Sequence, residues 1–349
     1  MRNLAPSHPY DLLTPQRLLD ALDAVGFRGD GRIIQLNSYE NRVFQVLLED
    51  GSAVVAKFYR PLRWNDAQIL EEHRFALELA ANEIPVVAPL PLTADREQGA
   101  TLLGDPTTLA LMPVDAGDFR YAVYPRRSGH GPELDDPDVL SWLGRFIGRV
   151  HAVGALSRFA ARRTLDPTTF GHQPLARLVG SELIPPEHRE SYQRCCAAAL
   201  TAVDEGFVSA GQLATLRLHG DFHPGNILWR DEGPHVVDLD DCCTGPAIQD
   251  LWMLLSGERH AMRGQLACVL DGYAQFMPFD RRQIALIEPL RTLRMIHHNA
   301  WLAERWTDPA FPFAFPWFGS AAYWSQQTEQ LRDQLTAMRE PPLDAASLG

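Results

Sequence analysis

The sequence predicts an α+β chain in two lobes, a β-rich first third and a helical remainder. Short β-branched or alternating runs crowd the segments 33–59 and 86–124. After residue 139, apolar residues recur at three- and four-residue spacing over long stretches. A length of 349 residues also exceeds what one ordinary core organises, so two lobes are expected.

Residues 15–25 read as a short amphipathic helix, with Leu18, Leu19, Leu22 and Val25 on one side. Strands are expected at 33–36, 43–48 and 53–59, the last two joined by a turn at Glu49-Asp50-Gly51-Ser52. A helix follows at 66–82, with Asp66 as its cap and Ile69, Leu70, Phe75, Leu79 and Ala80 in its apolar rhythm. Further short strands are expected at 86–92, 102–103, 108–112 and 121–124. Beyond Pro125-Arg126-Arg127-Ser128-Gly129, a linker-like stretch, helices are expected at 139–153, 186–203, 251–255, 265–276, 281–305 (broken near Pro289) and 321–338. The lobes therefore span 1–124 and 130–349, with 125–129 as hinge.

A hydrophobic content of 46% beside 22% charged residues is that of a soluble globular protein. The formal charge of -12 excludes a whole-protein basic field, so nucleic acid is not an expected partner. No run approaches the ~20 apolar residues of a membrane span, and residues 1–9 lack the pattern of a secretory leader. The cysteines fall as Cys195-Cys196, Cys242-Cys243 and a lone Cys268, which is not a disulfide framework. A cytoplasmic monomer is expected.

The chemistry is concentrated in His219-Gly220-Asp221-Phe222-His223-Pro224-Gly225-Asn226, with Asp238 following in Val236-Val237-Asp238-Leu239-Asp240-Asp241. Either half alone reads most simply as turn residues or a strand end. Together, separated by a hairpin that turns at Asp231-Glu232-Gly233-Pro234, they supply what phosphoryl transfer from a nucleotide needs. Asp221 orients or deprotonates the acceptor hydroxyl. Asn226 and Asp238 hold magnesium, which prefers few protein oxygens. Asp240 and Asp241 are candidates to support the metal from behind.

The pattern resembles the aminoglycoside phosphotransferase and choline kinase branch of the protein-kinase-like fold. It is more similar still to the bacterial stress response kinase A group. Asn37-Ser38-Tyr39-Glu40-Asn41-Arg42-Val43, Lys57-Phe58-Tyr59-Arg60-Pro61, Gln249-Asp250-Leu251-Trp252-Met253-Leu254-Leu255 and Asp308-Pro309-Ala310-Phe311-Pro312 carry that likeness along nearly the whole chain. The resemblance implies a bilobal kinase-like fold, its second lobe bearing the catalytic and metal loops, with ATP as co-substrate and Mg2+ as cofactor. It implies that Asp221 and Asp238 are catalytic, and that Lys57 grips the phosphates. Glu72, or failing it Glu71, holds that lysine. Ser38 contacts the nucleotide from a turn that replaces the glycine-rich loop, and adenine lies against 123–126. Asp250 ties down the catalytic loop. Arg291, Arg294, His297, His298, Trp301, Arg305 and Trp306 are candidates to line the acceptor cleft.

Two acceptor classes stay open. The stress response kinase A likeness implies Ser and Thr of proteins, this chain included. Only eleven residues separate Asp238 from Asp250, too few for the peptide platform of ordinary protein kinases. That favours a small alcohol such as an aminoglycoside or choline.

Overall fold

The computed structural model describes residues 9–95, 100–114 and 117–343. The segment 1–8, read above as free of a leader pattern, lies outside the described residues. In chain order the elements are α1 (Pro15–Asp23), β1 (Gly29–Gln35), β2 (Arg42–Leu48), β3 (Ala53–Phe58), α2 (Asp66–Ala81), β4 (Thr101–Leu103), β5 (Leu109–Met112), β6 (Phe119–Pro125) and α3 (Pro137–Gly154). Then come α4 (Gln173–Gly180), α5 (Pro186–Ala210), β7 (Leu216–Leu218), β8 (Ile227–Arg230), β9 (Gly233–Val236), β10 (Cys243–Gly245), α6 (Ile248–Trp252), α7 (Arg259–Tyr273), α8 (Ile287–Glu304), α9 (Ala310–Ala314) and α10 (Ala321–Ala337). The expected α+β class is observed.

The described residues form two compact units. One takes them up to His130 together with Ile227–Asp240; the other takes Gly131–Asn226 and the residues from Asp241 onward. The first is built on an antiparallel six-stranded sheet, ordered β1-β2-β3-β6-β5-β4. Side chains alternate faces along a strand, and β3 shows the result. Val54, Ala56 and Phe58 enter a core with Leu18 and Leu22 of α1 and with Val123 of β6. Ala122 and Leu109, on the opposite face, pack with Ile69 of α2.

The sequence reading ran 130–349 as one stretch, whereas the β8–β9 hairpin packs with the first unit. Backbone bonds explain it: Val87 N donates to Val236 O at 2.9 Å, Val236 N to Pro85 O at 2.9 Å, and Trp229 N to His130 O at 2.7 Å. The expected strand at 86–92 does not form. Pro85, Pro89 and Pro91 remove the donors a ladder needs, leaving one bridge between Val86 and Val236 and isolated bonds such as Leu90 N to Val123 O. The cap of α2 is Asn65 rather than Asp66, in a capping box with Gln68.

In the second unit, α3 and α7 meet through glycines. A Cβ on Gly144 would lie 2.0 Å from the Val269 carbonyl oxygen, and one on Gly272 would lie 2.0 Å from that of Ser141. The break expected near Pro289 falls two residues before it, where the 3-10 turn Arg281–Leu286 gives way to α8, starting at Ile287. Pro289 therefore sits in the first helical turn, where its missing N–H has no helical acceptor to lose.

Candidate active site

The candidate residues fall in both units. Ser38, Lys57, Glu72 and Asp238 belong to the first, Asp221 and Asn226 to the second.

Lys57 lies one residue from the end of β3, paired across to Val43 and Ala122. Strand alternation turns it away from the Val54-Ala56-Phe58 face and toward α2. Its Nζ lies 3.5 Å from Glu72 Oε1, 3.2 Å from Asp238 Oδ1 and 3.0 Å from Asp240 Oδ1. Of the two glutamates considered on α2, Glu72 is thus the one that reaches the lysine. Lys57 and Glu72 are only 6% and 3% exposed. Burial alone would push the Lys57 ammonium down, but Asp240, Glu72 and Asp238 outweigh it and hold its pKa well above the ordinary lysine value.

Asp238 stands two residues past β9 with a left-handed φ of 61°. A non-glycine residue there costs about 1–3 kcal/mol, a strain typical of functional sites. Its side chain is 52% exposed, in contrast to the lysine it meets. Ser38 lies partly buried in the turn between β1 and β2. That turn is held by Arg60, whose Nε donates to Glu40 O at 3.0 Å and whose Nη2 donates to Tyr39 O at 3.2 Å.

In the second unit, β7 and β10 pair antiparallel, and the segment carrying Asp221 and Asn226 leaves the end of β7. Asp250, fully buried, fixes its start. Its carboxylate accepts from His219 N and Gly220 N, each at 2.8 Å, and meets His151 Nε2 at 3.0 Å. The other ring nitrogen of His151 pairs with the Tyr273 hydroxyl at 3.0 Å. Gly220 has φ +84° and a Cβ there would come within 2.4 Å of the Asp241 carbonyl oxygen, so both conformation and space demand glycine.

Asn226 Nδ2 donates to the Asp221 carbonyl at 3.0 Å. With its nitrogen committed inward, the carboxamide presents its oxygen as the remaining acceptor. The Asp221 carboxylate accepts from Arg294 Nη1 at 2.5 Å on Oδ1 and faces His223 Nε2 at 3.4 Å on Oδ2. Burial would raise the Asp221 pKa, but the His223 hydrogen bond and the Arg294 charge prevail and hold it below the ordinary carboxylate range. Sequence reasoning had named Arg294 only as a candidate to line an acceptor cleft. It had not foreseen Asp240 on the lysine; the two-residue step from Asp238, inside the short turn Leu239–Asp241, was the available signal.

The phosphotransferase enzyme family matches residues 32–287. The chain belongs to that family. It is 42% identical over 334 residues to stress response kinase A of Salmonella choleraesuis (strain SC-B67), covering 96% of each chain. It is likewise 42% identical, over 96% of both chains, to a protein of Salmonella typhimurium (strain LT2) named serine/threonine protein kinase RdoA. Among solved structures, the amicoumacin kinase hAmiN in complex with AMP-PNP, Ca2+ and Ami matches with a TM-score of 0.68, at 20% identity and over 94% of both chains. The fold is therefore the kinase-like α+β fold of these phosphotransferases, and the chain is a phosphotransferase. Among the described residues, no helix is long and apolar enough to cross a membrane.

Proposed function

We propose that this phosphotransferase moves the γ-phosphoryl group of ATP to Ser or Thr hydroxyls of proteins, itself included, in a cytoplasmic stress response. The observation that carries the nucleotide half is the convergence of Glu72 and Asp238 on the buried Lys57 ammonium, at 3.5 and 3.2 Å. A lysine so fixed serves phosphate oxygens without first losing side-chain freedom. Ser38 adds a hydroxyl donor from its turn, and the 123–126 segment takes the adenine.

Asn226 and Asp238 are the magnesium ligands of this reading. The residues suit the ion: Asp238 is a half-exposed carboxylate, and Asn226 has committed its nitrogen and kept its oxygen. Magnesium takes few protein oxygens beside phosphates and water. Bound there, it neutralises charge on the phosphates, while Asp221 orients the acceptor hydroxyl.

Protein acceptors are favoured by the near full-length likeness to proteins named stress response kinase A and serine/threonine protein kinase. The net charge of -12 suits basic stretches in a partner. A second reading, a small hydroxylated acceptor, is favoured by the eleven residues between Asp238 and Asp250 and by the fold shared with an amicoumacin kinase. Incubation with labelled ATP, magnesium and cell lysate, followed by separation of protein-bound from small-molecule label, decides between them. Phosphoserine or phosphothreonine on protein is expected. Transfer solely to small alcohols would replace the first reading by the second.

A further inference from the structure

Asp240 is 3% exposed, and both its carboxylate oxygens are engaged. Oδ1 meets Lys57 Nζ at 3.0 Å, closer than the 3.5 Å from Glu72 to the same nitrogen. Oδ2 accepts from Asn41 Nδ2 at 3.2 Å and from the Arg63 guanidinium. These three partners stand on different parts of the chain: β3, the end of the 37–41 turn, and the connection from β3 to α2.

The bonds continue outward. Asn41 Oδ1 accepts from Arg60 N at 3.0 Å. Arg63 also meets Glu40 Oε2 at 3.6 Å, and Glu40 Oε1 meets Arg60 Nε at 2.8 Å. Lys57, Asp240, Arg63, Glu40 and Arg60 thus alternate in charge, with side chains from 5% to 12% exposed. In such a low-dielectric interior linked charges act together rather than pair by pair.

We infer that Asp240 is a positioning residue that ties the 37–41 turn and Lys57 to one carboxylate, so that both halves of the phosphate grip are set by the same side chain. The inference rests on the nucleotide reading for its functional consequence, though not for the mechanical coupling itself. It also divides the work of the Asp238-Leu239-Asp240 run. Asp238, 52% exposed, faces outward, whereas Asp240 is spent on protein partners.

The test uses the full chain and three variants: Asp240→Asn, Asn41→Ala and the double variant. Nucleotide affinity is read by titration with magnesium and a nonhydrolysable ATP analogue. Asp240→Asn should weaken binding by about 10–100-fold, the usual cost of losing a second-layer partner. The double variant should be little worse than Asp240→Asn alone, because both substitutions break the same link. Losses that simply multiply would overturn the inference. Amide hydrogen exchange without nucleotide gives an independent reading. Exchange across 37–43 should accelerate in Asp240→Asn and in Asn41→Ala, with β5 unchanged. Unchanged exchange at 37–43 overturns the coupling. Accelerated exchange in a chain that binds no nucleotide would instead retain the coupling and retire the nucleotide reading. If Asp240→Asn fails to fold, Asn41→Ala carries both measurements from the other end of the bond.

Discussion

Replacing Asp250 by Asn tests how the Asp221 segment is held. The wild-type carboxylate, itself fully buried, accepts two backbone N–H bonds at 2.8 Å and faces the buried His151 Nε2 at 3.0 Å. An Asn in the same place keeps one acceptor oxygen. Its NH2 must then point at a backbone N–H, donor against donor. One charge-assisted bond is lost, worth about 1.5–3 kcal/mol, and a buried N–H is left unsatisfied at a cost of about 1–3 kcal/mol. The two figures overlap, so about 2–4 kcal/mol is expected. For a unit of this size each kcal/mol moves Tm by about 2–4 °C, giving a fall of about 4–16 °C.

Thermal unfolding by circular dichroism reads this directly, with the exposed Asp271→Asn as a control that should stay within about 0.5 kcal/mol of wild type. Turnover should suffer as well. Releasing His219 N and Gly220 N lets Asp221 drift, and a misplacement of about 1 Å costs about 10²-fold in rate. Affinity for ATP without magnesium should hardly change, because Lys57 lies in the other unit. A melting temperature within about 2 °C of wild type, together with full turnover, would refute the reasoning.

Lys57→Ala should lower turnover by orders of magnitude and Glu72→Gln by less, since Asp238 and Asp240 still hold the ammonium; steady-state kinetics with ATP checks the order of severity. Asp238→Ala should abolish turnover in a folded protein and remove the advantage of magnesium-ATP over ATP in thermal-shift binding; equal stabilisation with and without magnesium in both proteins would contradict the metal assignment. Asp221→Asn should cut turnover by about 10²–10⁴ while nucleotide titration stays nearly unchanged. Burial pushes the Cys196 thiol up to about 12 and raises that of buried Cys243, so neither is ionised at pH 8; alkylation mapped by mass spectrometry should find both unmodified until the protein unfolds.

The sequence carried the local elements well. Alternation put Val54, Ala56 and Phe58 on one face of a strand and Lys57 on the other, and three-and-four spacing marked the helices from 139 onward. Where neighbours along the chain did not decide, it failed. The strand expected at 86–92 was read from apolar content, yet its prolines forbid a ladder. The β8–β9 hairpin went with the first unit through bonds to Pro85, Val87 and His130, far off in sequence. The same holds at the site. Lys57 and Glu72 are close enough in sequence, on a strand and the helix that follows, for their pairing to be foreseen. Asn41 and Asp240 are 199 residues apart, and Arg294 and Asp221 are 73 apart. No periodicity links such residues; only the folded backbone brings them together.

The Arg294 contact also bears on what Asp221 does in the proposed reaction. A carboxylate that accepts from a guanidinium at 2.5 Å, with His223 at 3.4 Å on its second oxygen, is a poor base, since both neighbours favour its charged form. Taking a full proton from a Ser or Thr hydroxyl in the ground state would work against that environment. Phosphoryl transfer does not require it: the transition state is loose, little bond to the nucleophile has formed, and the hydroxyl needs aiming more than deprotonating. Asp221 is suited to the aiming. Asp250 fixes the start of its segment, Asn226 binds its carbonyl, and Arg294 and His223 engage its two carboxylate oxygens. Late in the transfer, when the hydroxyl has become acidic, the same carboxylate can receive the proton without having been a strong base at the outset.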